Sequence, residues 1–375
     1  MHFFTLTYRV QVADDEDIDQ KVENICLEQS AELPLQVLSE SLADKIVGKP
    51  NFRQQVDEET YIVKIDWPLQ NIGGEISNFI NILYGNISLQ PGIRVTDASW
   101  RPLAETLFGG PALGIEELRA RLNITGRAIS STAVKPVGKS AGELADLCYR
   151  FAKGGIDIIK DDHGLANQVY APFRERVPAC VQAVERAAEE SGRRSWYFPN
   201  ITALASDAVD RYEMAADLGA DGVLICPHIT GLETMHQLAR MEIKLPIMAH
   251  PAFSGSLTTV TGKGLSPGFL YGQLWRALGA DFVIYPNAGG RFSFTLDECR
   301  SINRAARVQN RGLFKSSFPV PAGGLKISNI DHWLETYGPD TVFLMGGSLY
   351  KHPGGIETAA SEFSEILTKI KDDEE

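Results

Sequence analysis

Apolar and polar residues alternate through Phe4-Thr5-Leu6-Thr7-Tyr8-Arg9-Val10, the period-two spacing of a half-buried strand. The spacing turns helical from Asp17 to Ser30, and Tyr61-Ile62-Val63-Lys64-Ile65 predicts a second strand. Residues 1–110 therefore read as a small α+β domain of ferredoxin-like type. The cluster Phe108-Gly109-Gly110-Pro111-Ala112-Leu113-Gly114 breaks both periods and marks a junction. Over 111–375, short apolar runs alternate with amphipathic helices. Eight runs predict strands: Ala128–Val134, Ile156–Lys160, Trp196–Asn200, Gly222–Cys226, Pro246–His250, Phe282–Pro286, Leu313–Val320 and Val342–Met345. Eight βα units predict a (β/α)8 TIM barrel with a C-terminal helical tail, because a doubly wound sheet seldom repeats so evenly. Glycines in Gly154-Gly155, Gly219-Ala220-Asp221 and Gly279-Ala280-Asp281 would end helices in left-handed caps before the next strand.

A barrel places its chemistry at the C-terminal strand ends. Lys135 follows the first strand, Lys160, Asp162 and His163 the second, Asn200 the third, His228 the fourth, His250 the fifth and Asn287 the sixth. In Ile158-Ile159-Lys160-Asp161-Asp162-His163-Gly164, alternation sends Lys160 and Asp162 to one side and Asp161 to the other, with His163 at the turn. This is a candidate metal or acid/base cluster; the alternative is a solvated loop after a buried strand.

Composition narrows the partners. Lys and Arg number 36 against 48 Asp and Glu, giving a formal net charge of −12 with the basic residues scattered, which argues against a nucleic-acid surface. Small molecules are the expected partners. Five separated cysteines without a C-x-x-C pair read as reduced thiols of a cytoplasmic protein, Cys226 as a small buried hydrophobe. The absence of a membrane-length apolar run and the acidic Asp14-Asp15-Glu16-Asp17 argue against a membrane span or a signal peptide. The acidic end Lys371-Asp372-Asp373-Glu374-Glu375 reads as frayed.

The last two strands lead into Gly323-Gly324 and Gly346-Gly347-Ser348, where barrel enzymes hold phosphate on backbone N–H groups. Tight turns alone would account for one pair more easily than for both, so a phosphorylated small substrate is expected. Lys135, ending an apolar strand, is expected to be desolvated and pushed toward neutrality, as a general base or carbonyl-polarising acid requires; a salt-bridged structural lysine is the alternative. His250 is a candidate proton shuttle, and His228 a hydrogen-bonded rim residue. His236, His332 and His352 read as surface positions.

These motifs, in this order, resemble the large subunit of RuBisCO and its non-photosynthetic relatives, the RuBisCO-like proteins. The resemblance runs through Leu27-Glu28-Gln29-Ser30, Tyr84-Gly85-Asn86, Phe108-Gly109-Gly110-Pro111, Val134-Lys135-Pro136, Gly154-Gly155-x-Asp157-x-x-Lys160-x-Asp162, His250, Pro321-Ala322-Gly323-Gly324 and Gly346-Gly347-Ser348-Leu349-x-x-His352-Pro353. It implies a catalytic lysine at Lys135 and an activator lysine at Lys160. In the family the activator lysine is carbamylated and binds Mg²⁺ with an aspartate, here Asp162, and a glutamate, in whose place stands His163. It also implies a homodimer whose active site lies at the subunit interface, Glu28 and Asn86 reaching the neighbour's barrel mouth.

The departures point away from carboxylation. Pro251 replaces the arginine that grips a second phosphate, the sixth loop offers Arg291 instead of a lysine, and Val137 replaces a second lysine after Lys135-Pro136. The resemblance then implies enolisation of a keto-sugar monophosphate, as in an isomerase of 5-methylthioribulose 1-phosphate type. Lys135, His250 and His163 would move protons. Lys160 and Asp162 would hold Mg²⁺, with His163 either a third ligand or standing aside as acid/base, and Gly323, Gly324, Gly346, Gly347, Ser348, Arg291 and Asn200 around the substrate. The alternatives are a decarboxylase of a β-keto sugar-acid phosphate and a non-catalytic binder of a phosphorylated metabolite.

Overall fold

The computed structural model describes residues 2–308 and 312–369, so the acidic end 371–375 lies outside the described residues. Two compact units divide the chain. The first comprises 2–109, Ser254–Leu270 and 312–314; the second comprises Gly110–Phe253, 271–308 and 315–369.

In the first unit, β1 (Phe3–Gln11) lies antiparallel to both β3 (Thr60–Pro68) and β4 (Ile93–Ala98), and β2 (Lys49–Gln55) pairs with β3. A short β10 (Gly264–Leu265) adds to β4, giving the order β10-β4-β1-β3-β2. Helices Ile18–Glu28 and Ile76–Tyr84 complete the ferredoxin-like pattern. Asp17 caps the first of these by accepting the Gln20 N–H at 2.9 Å. Phe4, Phe79, Trp100 and Phe108 pack ring against ring, each such pair adding about 0.5–1.5 kcal/mol beyond its buried area.

The second unit is the expected barrel. Its strands are β5 (Ile129–Val134), β6 (Ile158–Asp161), β7 (Trp196–Phe198), β8 (Val223–Ile225), β9 (Ile247–Ala249), β11 (Phe282–Pro286), β12 (Phe318–Ala322) and β13 (Val342–Leu344). Parallel pairing runs in the order β7-β6-β5-β13-β12-β11-β9-β8. A parallel bridge between Asn200 and Leu224 closes the seam, with the Ile201 N–H donating to the Leu224 carbonyl at 2.9 Å. The seventh predicted strand, Leu313–Val320, is displaced to Phe318–Ala322, because Phe314 packs edge-on against Trp100 in the first unit.

Inward side chains fill the barrel as a packed core: Ile129, Ile158, Phe198, Leu224, Met248 and Phe282 belong to one buried cluster. Each such side chain contributes roughly 1.5–3 kcal/mol of burial free energy. Gly279 takes a left-handed φ of 107° where a Cβ would lie 2.2 Å from that of Ala239, so the turn before β11 requires glycine. All five cysteines are free and buried. Among the described residues no helix is long and apolar enough to cross a membrane.

Candidate active site at the C-terminal barrel rim

Ile158 points into the barrel core, so Lys160, two residues on, points to the same side one layer nearer the rim. It is 2% exposed, and its Nζ donates to the Asp161 carbonyl at 3.0 Å. Burial pulls its pKa down to about 8, the Asp162 charge opposing the shift and that of Lys135 assisting it. The desolvation expected at Lys135 thus falls on Lys160. The Lys135 side chain keeps 39% exposure and forms an ion pair with Asp162 Oδ2 at 2.7 Å.

Asp162 gathers the cluster. Its Oδ1 accepts the Gly164 N–H at 3.0 Å and lies 3.3 Å from His163 Nδ1. Burial pushes this carboxyl up, but the Lys135 hydrogen bond, the Gly164 amide and the two lysine charges outweigh it and hold it at about 2. His163 stacks on His250, ring centroids 4.3 Å apart and planes 8° from parallel. Burial, with the positive charge of Lys160, lowers both imidazole pKa values, so the stacked pair is neutral near pH 7. His250 Nδ1 accepts the Ala252 N–H at 3.1 Å, which assigns the proton to Nε2.

Behind this cluster lies a brace that sequence spacing did not reveal. Asp161 projects away from the lysines and is fully buried. It accepts from Arg176 Nε at 3.1 Å, the Tyr197 hydroxyl at 2.7 Å and the Asn200 N–H at 2.9 Å. Arg176, on the helix Phe173–Ser191, also donates to the carbonyls of Ala171 at 2.6 Å and Ala166 at 2.7 Å, pinning the loop that follows Asp162. Asn200 is fully buried, and its amide donates to the His163 carbonyl at 2.9 Å while accepting the Thr202 N–H at 3.0 Å. Its side chain is thereby committed to the backbone of the cluster. Alternation predicted the outward Asp161; its buried cation sits fifteen residues downstream, beyond any local period. His228 meets the Trp275 Nε1 at 3.3 Å, and His236 is buried in the helix Leu232–Arg240, not at the surface, because that helix turns its apolar face inward there.

The glycine loops lie at the ends of β12 and β13. Gly324 has φ 75° and would bring a Cβ to 2.9 Å from Gly290 Cα, so close approach of two loops accounts for it. Gly346 and Gly347 have open space where a Cβ would lie, and neither takes a left-handed φ. Packing does not demand glycine at that pair, whereas close approach of a ligand to backbone N–H groups would. Ser348 follows them, half-buried, and Gly323 is open with φ 88°. Arg291 is exposed, its guanidinium 5.0 Å from the Phe292 ring.

A family model, that of the ribulose bisphosphate carboxylase large chain, catalytic domain, matches residues 114–374. The chain belongs to the RuBisCO large-chain family. Within it, the chain falls in the RuBisCO-like branch. It is 37% identical over 345 residues to the ribulose bisphosphate carboxylase-like protein 1 of Rhodopseudomonas palustris, covering 92% of each chain. Over an equal length it is 37% identical to the 5-methylthioribulose-1-phosphate isomerase of Rhodospirillum rubrum, covering 92% of this chain and 90% of that one. A crystal structure of a RuBisCO-like protein from Rhodopseudomonas palustris superposes with a TM-score of 0.88 at 32% identity, covering 98% of both chains.

For a RuBisCO-like chain the metal question turns on the donor set. Among the described residues no three His, Cys, Asp or Glu side chains come together as a cation site. Asp162 and His163 alone supply one hard oxygen donor and one imidazole nitrogen, too little for Mg²⁺. The set fits Mg²⁺ once Lys160 carries a carbamate, which adds a second anionic oxygen group, and a buried amine with a pKa near 8 has the neutral fraction that reaction needs. In the first unit, the Asn86 amide donates to Glu28 Oε1 at 2.9 Å, so these two RuBisCO-like positions form one polar patch. Gln29 fixes it by donating to the Asn81 and Ile82 carbonyls and accepting the Ile87 N–H.

Proposed function

We propose that this RuBisCO-like enzyme enolises a phosphorylated keto sugar without fixing CO₂, acting as an isomerase on 5-methylthioribulose 1-phosphate. The observation that carries the reading is the Lys135–Asp162 ion pair of 2.7 Å at the barrel rim, beside a neutral, stacked His163–His250 pair. The isomerase at 37% identity supplies the substrate class. Pro251, Arg291 and Val137, which replace the residues of a carboxylase, support the loss of carboxylation.

In this reading the Gly323-Gly324 and Gly346-Gly347-Ser348 loops hold the single phosphate, with Arg291 beside it. As the free amine Lys135 takes the proton from the carbon next to the carbonyl, and Asp162 holds the ammonium so formed until that proton is returned to the enediolate. His250 carries a proton between substrate oxygens, which a neutral imidazole can do near pH 7, with the His163 ring stacked on it. Mg²⁺ would be held by carbamylated Lys160, Asp162 and His163, and when bound it supplies positive charge to the enediolate oxygens. Asn200 keeps the cluster in place from behind.

The active form is proposed to be a homodimer in which Glu28 and Asn86 of one copy complete the barrel mouth of the other. Large apolar side chains standing in solvent on successive rim loops support a covered mouth: Leu204 is 76% exposed, Ile229 55% and Phe253 81%. The test is proton NMR of 5-methylthioribulose 1-phosphate with the enzyme and Mg²⁺ in D₂O. The expected result is an isomeric sugar phosphate carrying solvent deuterium, with no CO₂ released. CO₂ release from a β-keto sugar-acid phosphate without such isomerisation would favour the decarboxylase. Phosphate binding with no turnover of either substrate would identify a non-catalytic binder.

A further inference from the structure

The glycine loop after β13 is tied to β5 at both of its ends. At the near end, the Met345 N–H donates to the Ser131 carbonyl at 3.0 Å and Thr132 Oγ1 donates to the Met345 carbonyl at 2.8 Å. At the far end, Tyr350 closes the short helix Gly347–Tyr350 and reaches back to the same strand. Its hydroxyl accepts the Lys135 N–H at 2.8 Å and donates to the Ala133 carbonyl at 3.0 Å. The Tyr350 ring stands edge-on to Phe151 at 5.4 Å, and burial raises its phenol pKa, so the hydroxyl keeps its proton.

Lys135 needs this support. β5 ends at Val134, whose ladder partner is Asp161, and Lys135 lies one residue past the last paired position. Its main chain is therefore held by the phenol of another strand's loop. Between the two anchors stand Ser348 and the pair Gly346 and Gly347, where packing gives no reason for glycine.

We propose that Tyr350 is a positioning residue that registers the phosphate loop against Lys135, so that a phosphate seated at Gly346-Gly347 fixes the lysine as well as the substrate. The inference rests on the phosphate and lysine roles given above and adds the link between them. Proton transfer requires donor and acceptor within about 2.6–3.2 Å, and misplacement by about 1 Å can cost about a hundredfold in rate. One hydroxyl that both accepts and donates joins the group that holds the substrate to the group that acts on it.

The test uses Tyr350→Phe in the full chain, with inorganic phosphate as the probe, calorimetry for binding and hydrogen exchange of the segment carrying the Lys135 amide. In the native chain, phosphate is expected to bind and to slow exchange of that amide. In Tyr350→Phe, phosphate should still bind, but exchange should no longer respond to it. The kcat on the phosphorylated substrate should fall about a hundredfold, with KM within about threefold. A phosphate response at Lys135 that survives in Tyr350→Phe, or is absent from a native chain that binds phosphate, overturns the proposal. A native chain that binds no phosphate overturns the loop assignment beneath it and the link together. Should Tyr350→Phe fail to fold, Thr132→Val cuts the other anchor while keeping its volume. The Lys135 response must weaken there too, and an unchanged response in that variant sinks the proposal.

Discussion

Arg176→Met is the sharpest test of the brace behind the active site. The guanidinium is fully buried, with Nη2 3.0 Å from Asp161 Oδ2, and its other N–H groups hold the Ala166 and Ala171 carbonyls. Methionine fills much of the same volume but leaves a buried carboxylate without its cation, a change that costs about 3–5 kcal/mol. The two abandoned carbonyls add to the cost, each on the order of 1–3 kcal/mol where water cannot reach it. The double variant Arg176→Met/Asp161→Asn should be more stable than Arg176→Met alone, because the stranded charge is gone and the Tyr197 hydroxyl can turn from donor to acceptor. Urea midpoints at constant m for the four proteins give the coupling, expected at about 2 kcal/mol or more. Turnover should fall in all three variants, since Asp162 and His163 ride on the loop that Arg176 pins. If the double variant loses the sum of the two singles within about 0.5 kcal/mol, Asp161 and Arg176 act independently and the brace is refuted.

Three further outcomes are expected. The Lys160 amine, held near pH 8 instead of the ordinary value near 10.4, should take up isotopically labelled bicarbonate as a carbamate with half-maximal yield near pH 8; carbon NMR showing a midpoint near 10.4 would remove the desolvation argument. Lys135→Ala should abolish turnover by roughly a thousandfold or more while changing stability by less than about 1 kcal/mol, because its partly exposed ion pair is screened; a large shift in urea midpoint would make Lys135 structural. Asn200→Ala should cost about 1–3 kcal/mol by leaving the His163 carbonyl unpaired, and lower kcat with little change in phosphate affinity; full activity by steady-state assay would show that the Asp162–His163 turn holds itself.

How much of this was legible in the sequence depends on the range of the interaction. The barrel strands were readable because buried parallel strands are continuous apolar runs bounded by glycine turns. β2 was not, because Lys49–Gln55 is exposed along its whole length and has no apolar face to alternate. β12 was misplaced because Phe314 is as apolar as a strand residue but spends its ring on Trp100, while Pro319 and Pro321 sit within the true strand. At the site, period-two reasoning separated Lys160 and Asp162 from Asp161 correctly. It placed the desolvated lysine at Lys135, since a strand end looks the same from sequence whether its side chain enters the core or leans on a carboxylate. Tyr350 and Arg176 carried no signal, because each works through contacts fixed only when distant strands meet.

The closure of the barrel at Asn200 bears on how such a chain can change. The hydrogen bonds that shut the seam at Leu224 come from the Pro199 carbonyl and the Ile201 N–H, the two neighbours of the residue whose amide steadies His163, so the last stitch of the scaffold and a support of the chemistry share three consecutive residues. Rim loops elsewhere are free to drift in length and composition as substrates diverge. At this position a replacement gives up the support of His163 while the backbone bonds of the seam remain, and new specificities are expected to arise around it, not through it.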